Sequence, residues 1–350
     1  MESVKKKSHL VWYIGLFLLV LVVGLFYVKW FPYFQKALAA SSTHSIGDAI
    51  IGNVGKSTPI FSLEAGIAFT IAYFNSVWKA VVLGLIVGSL VQVLIPTKMI
   101  KKYLGGSKFR NSVLAMVLGM PTMMCTCCTA PVAVGLKRAQ ASVNSVVAFF
   151  LANPLLNPAT LIFMGFVLGW KFTFFRLIFG VIAVLGIATV VSKVSKSKRV
   201  NVPDTKIFDP IEETQQVLLV RWLKALGRLI VESLPAYIVI VFILGSFQGL
   251  LFPAINNGHL NSGILAIILF AVVGMLFVIP TAGEIPIIQV LMALGLTSGP
   301  AAALLLTLPA VSIVSLSLLK PVFSWKELGI IGGGIAVIGM FAGIFGSFIL

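Results

Sequence analysis

Apolar runs of membrane-spanning length, separated by short basic segments, make up most of this 350-residue chain. The first, Leu10 to Val28, follows Lys5, Lys6 and Lys7 and predicts a transmembrane helix. Ala37-Leu38-Ala39 resembles a signal-peptide cleavage site, but the run before it exceeds a signal core of roughly 7–15 residues and the small residues lie far beyond its end. The expectation is an uncleaved helix over residues 1–30 with its amino terminus in the cytoplasm. Residues 31–75 read as an external loop of balanced charge, with Leu63 to Tyr73 expected along the membrane interface. Val220 to Val231, carrying Arg221, Trp222, Lys224 and Arg228, is expected to lie along the opposite interface.

The rest of the chain repeats. Gly88-Ser89 followed by Pro96 recurs as Gly245-Ser246 followed by Pro253, an offset of 157. Further on, Gly119, Thr126, Pro131, Pro154, Trp170 and Lys171 meet Gly274, Thr281, Pro286, Pro309, Trp325 and Lys326 at a constant offset of 155. Paired prolines and Trp-Lys dipeptides held in register are hard to obtain by chance, and internal repeats of this kind characterise transporter folds. The division expected is residues 76–192 for repeat 1, a basic cytoplasmic linker over 193–224, and 225–350 for repeat 2.

Charge placement orients the two halves. Lys98, Lys101, Lys102, Lys108 and Arg110 mark one cytoplasmic loop, and Lys193, Lys196, Lys198, Arg199 and Lys206 mark another. Three apolar stretches lie between them: Asn111 to Leu136, Ala139 to Trp170 and Phe172 to Val191. Three full crossings would put the second basic loop outside. If the first stretch is a re-entrant hairpin, Lys137 and Arg138 also fall inside and the charges agree; the alternative is an ordinary kinked spanning helix. The fold class expected is therefore an all-α polytopic membrane protein of two inverted repeats, each with about three spanning helices and a broken hairpin, behind one extra amino-terminal helix. The hairpin tips, Thr122 to Pro131 and Thr281 to Pro286, are expected to approach each other near the midplane.

Composition agrees and narrows the function classes. Hydrophobic residues are 59% and charged residues 10% of the chain, against roughly a quarter charged in soluble domains. The net charge of +16 lies in loops and reports membrane orientation, so no nucleic-acid partner is expected. Expected partners are membrane lipid, a small-molecule or metal-like solute and a second copy of the chain in a homo-oligomer; no cofactor is expected. No P-loop for driving a pump is visible.

Candidate chemistry gathers at the two tips. All three cysteines, Cys125, Cys127 and Cys128, fall with Thr126 in one C-T-C-C segment, and with Met120, Met123 and Met124 they put six sulfur-bearing residues into nine positions. Such soft donors favour Cu(I) or trivalent arsenic, as transient ligands rather than a permanent metal site. On an intact helix Cys125 and Cys128 share a face and Cys127 points elsewhere, whereas an unwound tip lets all three converge. The second tip carries Thr281 and Glu284, the latter opposite Thr129 in the repeat. A carboxylate in an apolar run costs about 2.5–3.5 kcal/mol on the insertion scale, so Glu284 is a candidate proton carrier or counter-charge to a cationic solute, or else the cap of a broken helix. Asn153 and Asn157, flanked by Pro154 and Pro158, lie on one face and either satisfy freed backbone groups or line the path.

Cys125-Thr126-Cys127-Cys128-Thr129-Ala130-Pro131, then Gly135-Leu136-Lys137-Arg138, Ala148-Phe149-Phe150-Leu151 and Asn153-Pro154 through Asn157-Pro158, resemble the bacterial permease family that includes the ArsP-type organoarsenical exporters. Gly283-Glu284-Ile285-Pro286 and Leu308-Pro309-Ala310-Val311-Ser312 resemble its second-half pattern. The resemblance spans about residues 75–350. It implies a plasma-membrane secondary transporter rather than an enzyme, exporting thiol-reactive trivalent organoarsenicals in some members and soft or borderline metals in others. Cys125 and Cys127 match the family's Cys-x-Cys, and Cys128 is an addition. The alternatives to organoarsenical efflux are copper or zinc efflux and a membrane thiol-disulfide enzyme working through Cys127 or Cys128.

Overall fold

The computed structural model describes residues 2–47, 61–95, 97–195, 218–247 and 262–350, with side chains from residue 12 onward. The basic residues Lys196, Lys198, Arg199 and Lys206, most of the linker, and both Pro96 and Pro253 of the repeat lie outside them. The described residues are almost entirely helical and contain no strand.

Helix α1 (Glu2–Leu25) passes through a π-turn at Phe26–Trp30 into α2 (Phe31–Thr43). The segment Trp12–Thr43 is thus one apolar unit of spanning length. Residues 31–43, expected in a loop, are helical: the chain passes from the π-turn into α2 without a break, the Phe31 N–H donating to the Phe26 carbonyl and Pro32 lying in the first turn of α2. Ala37-Leu38-Ala39 accordingly lies within α2.

Helix α3 (Leu63–Leu94) begins at Ser62, whose side chain accepts from the Ala65 N–H, with Glu64 in the first turn. Leu63 to Tyr73 is not a separate interfacial element: no breaker follows it, and it forms the opening turns of α3. Val220 to Val231 is likewise absorbed into a later continuous helix.

A short α4 (Thr97–Leu104) leads to a broken segment, α5 (Phe109–Gly119) and α6 (Thr126–Arg138), joined by a 3-10 turn at Met120–Thr122. Ser142, just before α7 (Val143–Leu155), donates through its N–H (2.9 Å) and hydroxyl (2.7 Å) to the Leu104 carbonyl. The chain that leaves that level into α5 therefore regains it after α6, and the segment doubles back. Next come α8 (Pro158–Val167) and α9 (Trp170–Ser195).

The second half runs α10 (Leu218–Ser246), α11 (Gly263–Leu276), an unwound stretch, α12 (Glu284–Ala293), α13 (Ser298–Ala310), α14 (Ile313–Leu319) and α15 (Trp325–Ile349). Helices α7, α8 and α9 start at 143, 158 and 170, and α13, α14 and α15 start at 298, 313 and 325, so the offset of 155 recurs in the elements themselves. Seven stretches among the described residues are long and apolar enough to cross a membrane; the two segments broken at Cys125 and at Phe277–Gly283 are not among them.

Equivalent helices pair antiparallel. Along α3 and α10, the Ser62 N–H donates to the Ser246 carbonyl (3.0 Å), Tyr73 meets Tyr237 (3.0 Å), and the Trp222 indole donates to the Ser89 hydroxyl (2.9 Å). Along α9 and α15, the Phe179 and Phe345 rings meet at a tilt of 48° and Ile187 packs against Gly334.

Polarity is arranged for lipid. On α9, Phe174, Ile178 and Ile182 face outward while Gly180, Ala183 and Arg176 are buried. Small residues set the closest approaches, as expected where no hydrophobic gain drives helices together. A Cβ on Gly84 would overlap the Cys128 carbonyl, and Gly88 and Gly135 bring α3 against α6 in the same way.

Candidate functional site

Three structural devices shape the first tip. Pro121 closes the 3-10 turn after α5, Met123 adopts a left-handed φ of 50°, and Cys125 is extended (φ −75°, ψ 168°) as the N-cap of α6. A non-glycine residue in the left-handed region persists only where its surroundings hold it. Asn153 supplies much of that hold. Its amide oxygen accepts from the Thr122 hydroxyl in a very close contact and from the Met124 N–H at 3.3 Å, while its NH2 donates to the Phe149 carbonyl at 2.9 Å. Asn157 has a different task, capping α8 through bonds from the Ala159 and Thr160 N–H groups, and its buried Nδ2 has no partner.

Since α6 begins at Thr126, the three thiols sit on a helix start and divide into two environments. Cys125 and Cys128, one turn apart, bring their sulfurs to 2.9 Å. Cys127 points to the other side, where the Tyr73 hydroxyl donates to it at 3.6 Å and Tyr73 in turn meets Tyr237. Thr126 lies between, its hydroxyl 4.0 Å from the Cys127 sulfur. All three thiols are free and buried. The helical pairing expected of Cys125 and Cys128 is realised, and convergence of all three is not. Among the described residues no group of three or more His, Cys, Asp or Glu is placed to hold a metal ion.

The second tip is unwound from Phe277 to Gly283 and turns on Ala282, which is left-handed at φ 67°. Its Gly283 N–H donates to the Pro280 carbonyl (3.0 Å) and its Ile285 N–H to the Ala282 carbonyl (3.2 Å). Glu284 opens α12, the position where a carboxylate faces the positive end of the helix. One carboxylate oxygen accepts from Arg176 of α9 at 2.6 Å; both side chains are buried, 0% and 1% exposed, and the other oxygen has no partner. The same guanidinium donates to the Leu155 carbonyl (3.1 Å) and the Pro154 carbonyl (2.7 Å), groups near the carboxyl end of α7 left without intrahelical partners.

A small cavity joins the two tips, lined by Cys125, Pro154 and Thr160 from the first half and by Thr281, Glu284 and Pro309 from the second. Of the sequence candidates, Cys125, Thr281 and Glu284 thus meet there. Cys128 stands behind Cys125, Asn153 and Asn157 serve the backbone, and Cys127 and Thr126 lie off to one side. The amino-terminal segment also reaches this region: buried Lys29 donates to the Tyr33 hydroxyl (3.0 Å) and to the Thr281 hydroxyl (3.2 Å), and the Trp30 indole donates to the Pro121 carbonyl (2.9 Å).

Arg176, Lys29, Tyr73 and Tyr237 were absent from the residues singled out by sequence. Two of them had a signal. Arg176 is the lone charge in Phe172 to Val191, and Lys29 stands between apolar runs, so the rule that singled out Glu284 applies to both. The tyrosines had none, because a tyrosine in an apolar helix is ordinary.

A family model described as a predicted permease, ArsP_1, matches residues 62–348. The UPF0718 protein YraQ of Escherichia coli (strain K12) is 45% identical over 333 residues, covering 95% of this chain and 94% of that protein. The UPF0718 protein MJ0584 of Methanocaldococcus jannaschii is 24% identical over 295 residues, covering 66% of this chain and 81% of that protein. No solved structure matches.

Proposed function

Since this chain belongs to the ArsP_1 family of predicted permeases, we propose that it is a secondary transporter whose solute site lies between the two broken tips, and that it exports a soft, thiophilic solute. The observation that carries the reading is the meeting of Cys125 with Thr281 and Glu284 around one cavity, although they lie in different halves of the chain.

The two halves are inverted copies whose hairpins enter from opposite membrane faces. Supporting this are the recurring helix starts and the antiparallel pairing of equivalent helices. Alternating access is then a rocking of one half against the other about the tips. Cys125 and Cys128 are the vicinal thiols that engage the solute, their softness matching trivalent arsenicals better than hard cations. Burial of all three thiols favours transport over thiol-disulfide exchange with a protein partner, which needs an accessible sulfur.

Glu284 couples transport to protons: a proton on its unpartnered oxygen would weaken the hold on Arg176 and free the tips to separate. In everted vesicles, cargo should accumulate under an imposed proton gradient and stop when the gradient is dissipated. Accumulation indifferent to the gradient would sink the coupling. For the cargo, sensitivity to methylarsenite, arsenite, copper and zinc is compared between the parent and Cys125→Ser, Cys127→Ser and Cys128→Ser. Loss of protection confined to Cys125→Ser and Cys128→Ser is expected, and parental behaviour of all three refutes the thiol site.

A further inference from the structure

Helix α4 and the segment behind it carry a charge that their own part of the chain does not answer. Lys98, Lys101, Lys102, Lys108 and Arg110 stand between Thr97 and Arg110, and from Ala65 to Pro203 the sequence has no Asp or Glu. All five cations are exposed, and none has a carboxylate partner among the described residues. Lys102 rests instead against Tyr103, its ammonium 5.4 Å from the ring centre.

The circumference of α4 divides into three faces. At helical spacing Ile100 and Leu104 turn inward and are buried, Met99 and Tyr103 share an outward face, and Lys98, Lys101 and Lys102 share another. Phe109, between Lys108 and Arg110, is exposed as well. A face fully in water gains nothing from showing Met, Tyr and Phe beside its cations. A helix lying in a membrane interface does, because apolar groups enter the acyl boundary while ammonium groups stay among the headgroups. The scaffold does not require these cations: the matching stretch of the second half, Phe252 to Ile267 at either offset, has no Lys or Arg.

The same segment is tied to both ends of the broken hairpin. The Tyr103 carbonyl accepts from the side chain of Asn111, in the first turn of α5, at 2.7 Å. The Leu104 carbonyl accepts from Ser142, just before α7, and the Lys108 carbonyl accepts from the side chain of Asn144 at 3.3 Å. What holds α4 therefore holds the departure and the return of the hairpin whose tip bears the thiols.

We propose that α4 and residues 105–110 form a docking surface for anionic phospholipid, and that lipid seated there braces the base of the hairpin. The leaflet is the cytoplasmic one, by the positive-inside rule. Each cation near an anionic surface strengthens attachment about fivefold, so several together separate anionic from zwitterionic lipid. Docking here is independent of what the tips bind.

The test places the purified full-length protein in mixed micelles with equal amounts of phosphatidylglycerol and phosphatidylcholine and counts the retained lipid by native mass spectrometry. Phosphatidylglycerol should be retained about tenfold or more over phosphatidylcholine. Lys98→Gln, Lys101→Gln and Lys102→Gln together should abolish the preference, and the three Lys→Arg replacements should keep it. Where the neutral variant fails to insert, the parent in about 1 M salt, with a Debye length of about 3 Å, should lose the preference instead. Equal retention of the two lipids by the parent, or a preference that survives the three Gln replacements, overturns the docking surface. Displacement by equimolar glycerol phosphate, which lacks acyl chains, makes the site one for a soluble anion and overturns the lipid. A preference that appears only after Glu212→Gln and Glu213→Gln assigns the face to the chain's own linker, with the same result. In nanodiscs, phosphatidylglycerol should slow amide exchange at Ser142 several-fold relative to phosphatidylcholine, and unchanged exchange refutes the bracing.

Discussion

Replacing Arg176 with methionine is the sharpest structural perturbation, because the guanidinium has three separate acceptors and none of them can turn to water. The 2.6 Å contact to Glu284 joins two groups that are 0% and 1% exposed, so removing Arg176 strands a carboxylate inside the bundle. Breaking one side of a buried ion pair costs about 3–5 kcal/mol. The carbonyls of Pro154 and Leu155 lose their donors in the same step, adding about 1 kcal/mol each. A loss of roughly 5 kcal/mol is enough to unfold many proteins outright. The decisive measurement is therefore a double-mutant cycle with Glu284→Gln, following reversible unfolding in mixed micelles. Arg176→Met combined with Glu284→Gln removes the stranded charge and should recover about 3 kcal/mol relative to Arg176→Met alone. A coupling energy below about 0.5 kcal/mol would refute the claim that the two residues act as a pair.

Other consequences follow from the packing around the tips. Asn153→Leu removes two hydrogen bonds from the Met120–Met124 turn and a third to the Phe149 carbonyl, and should cost roughly 2–4 kcal/mol, checked by the same unfolding assay together with faster amide exchange at Met124. Gly84→Leu places side-chain atoms where the Cys128 carbonyl lies, so loss of about 1–3 kcal/mol is expected, with Gly84→Ala intermediate. A bifunctional trivalent arsenical should cross-link Cys125 to Cys128 and leave Cys127 free for mass-spectrometric labelling; a Cys127 adduct in place of that pair would contradict the 2.9 Å sulfur separation.

Periodicity carried the scaffold because membrane helices leave a coarse and redundant record: run length, breaker positions and basic loops. The repeat of prolines and Trp-Lys pairs located helices α13, α14 and α15 from α7, α8 and α9 with no shift. Boundaries in the amino-terminal region were misread because hydrophobicity alone does not distinguish an interfacial segment from the first turns of a longer helix. At the site, Cys125, Cys127, Cys128 and Glu284 stand out as rare residues in apolar runs. Their partners could not be paired from sequence. Arg176 is 108 residues from Glu284 and Lys29 is 252 from Thr281, and contacts at such separations depend on how helices pack.

The repeat also makes the divergence between the halves informative. At the offset of 155, Cys125, Cys127 and Cys128 face Pro280, Ala282 and Gly283; Glu284 faces Thr129, and Arg176 faces Ile331. Each reactive residue has an inert counterpart, so at this offset the backbone breaks recur while the chemistry differs between the halves. Thiols and guanidinium went to one half, the carboxylate to the other. As a result the Arg176–Glu284 pair is a bond between halves, anchored on one side to the carboxyl end of α7 and on the other to the start of α12. Any motion that separates the tips must break this pair or carry both partners along. In the first case Glu284→Gln, which keeps the shape and removes the charge, should speed the conformational exchange while uncoupling it from protons. In the second it should leave the exchange rate unchanged, because the pair would then belong to one rigid body. Single-molecule distance measurements between labels on α3 and α15, taken with and without the substitution, distinguish the two, and an unchanged rate would rule out the ion pair as the latch between halves.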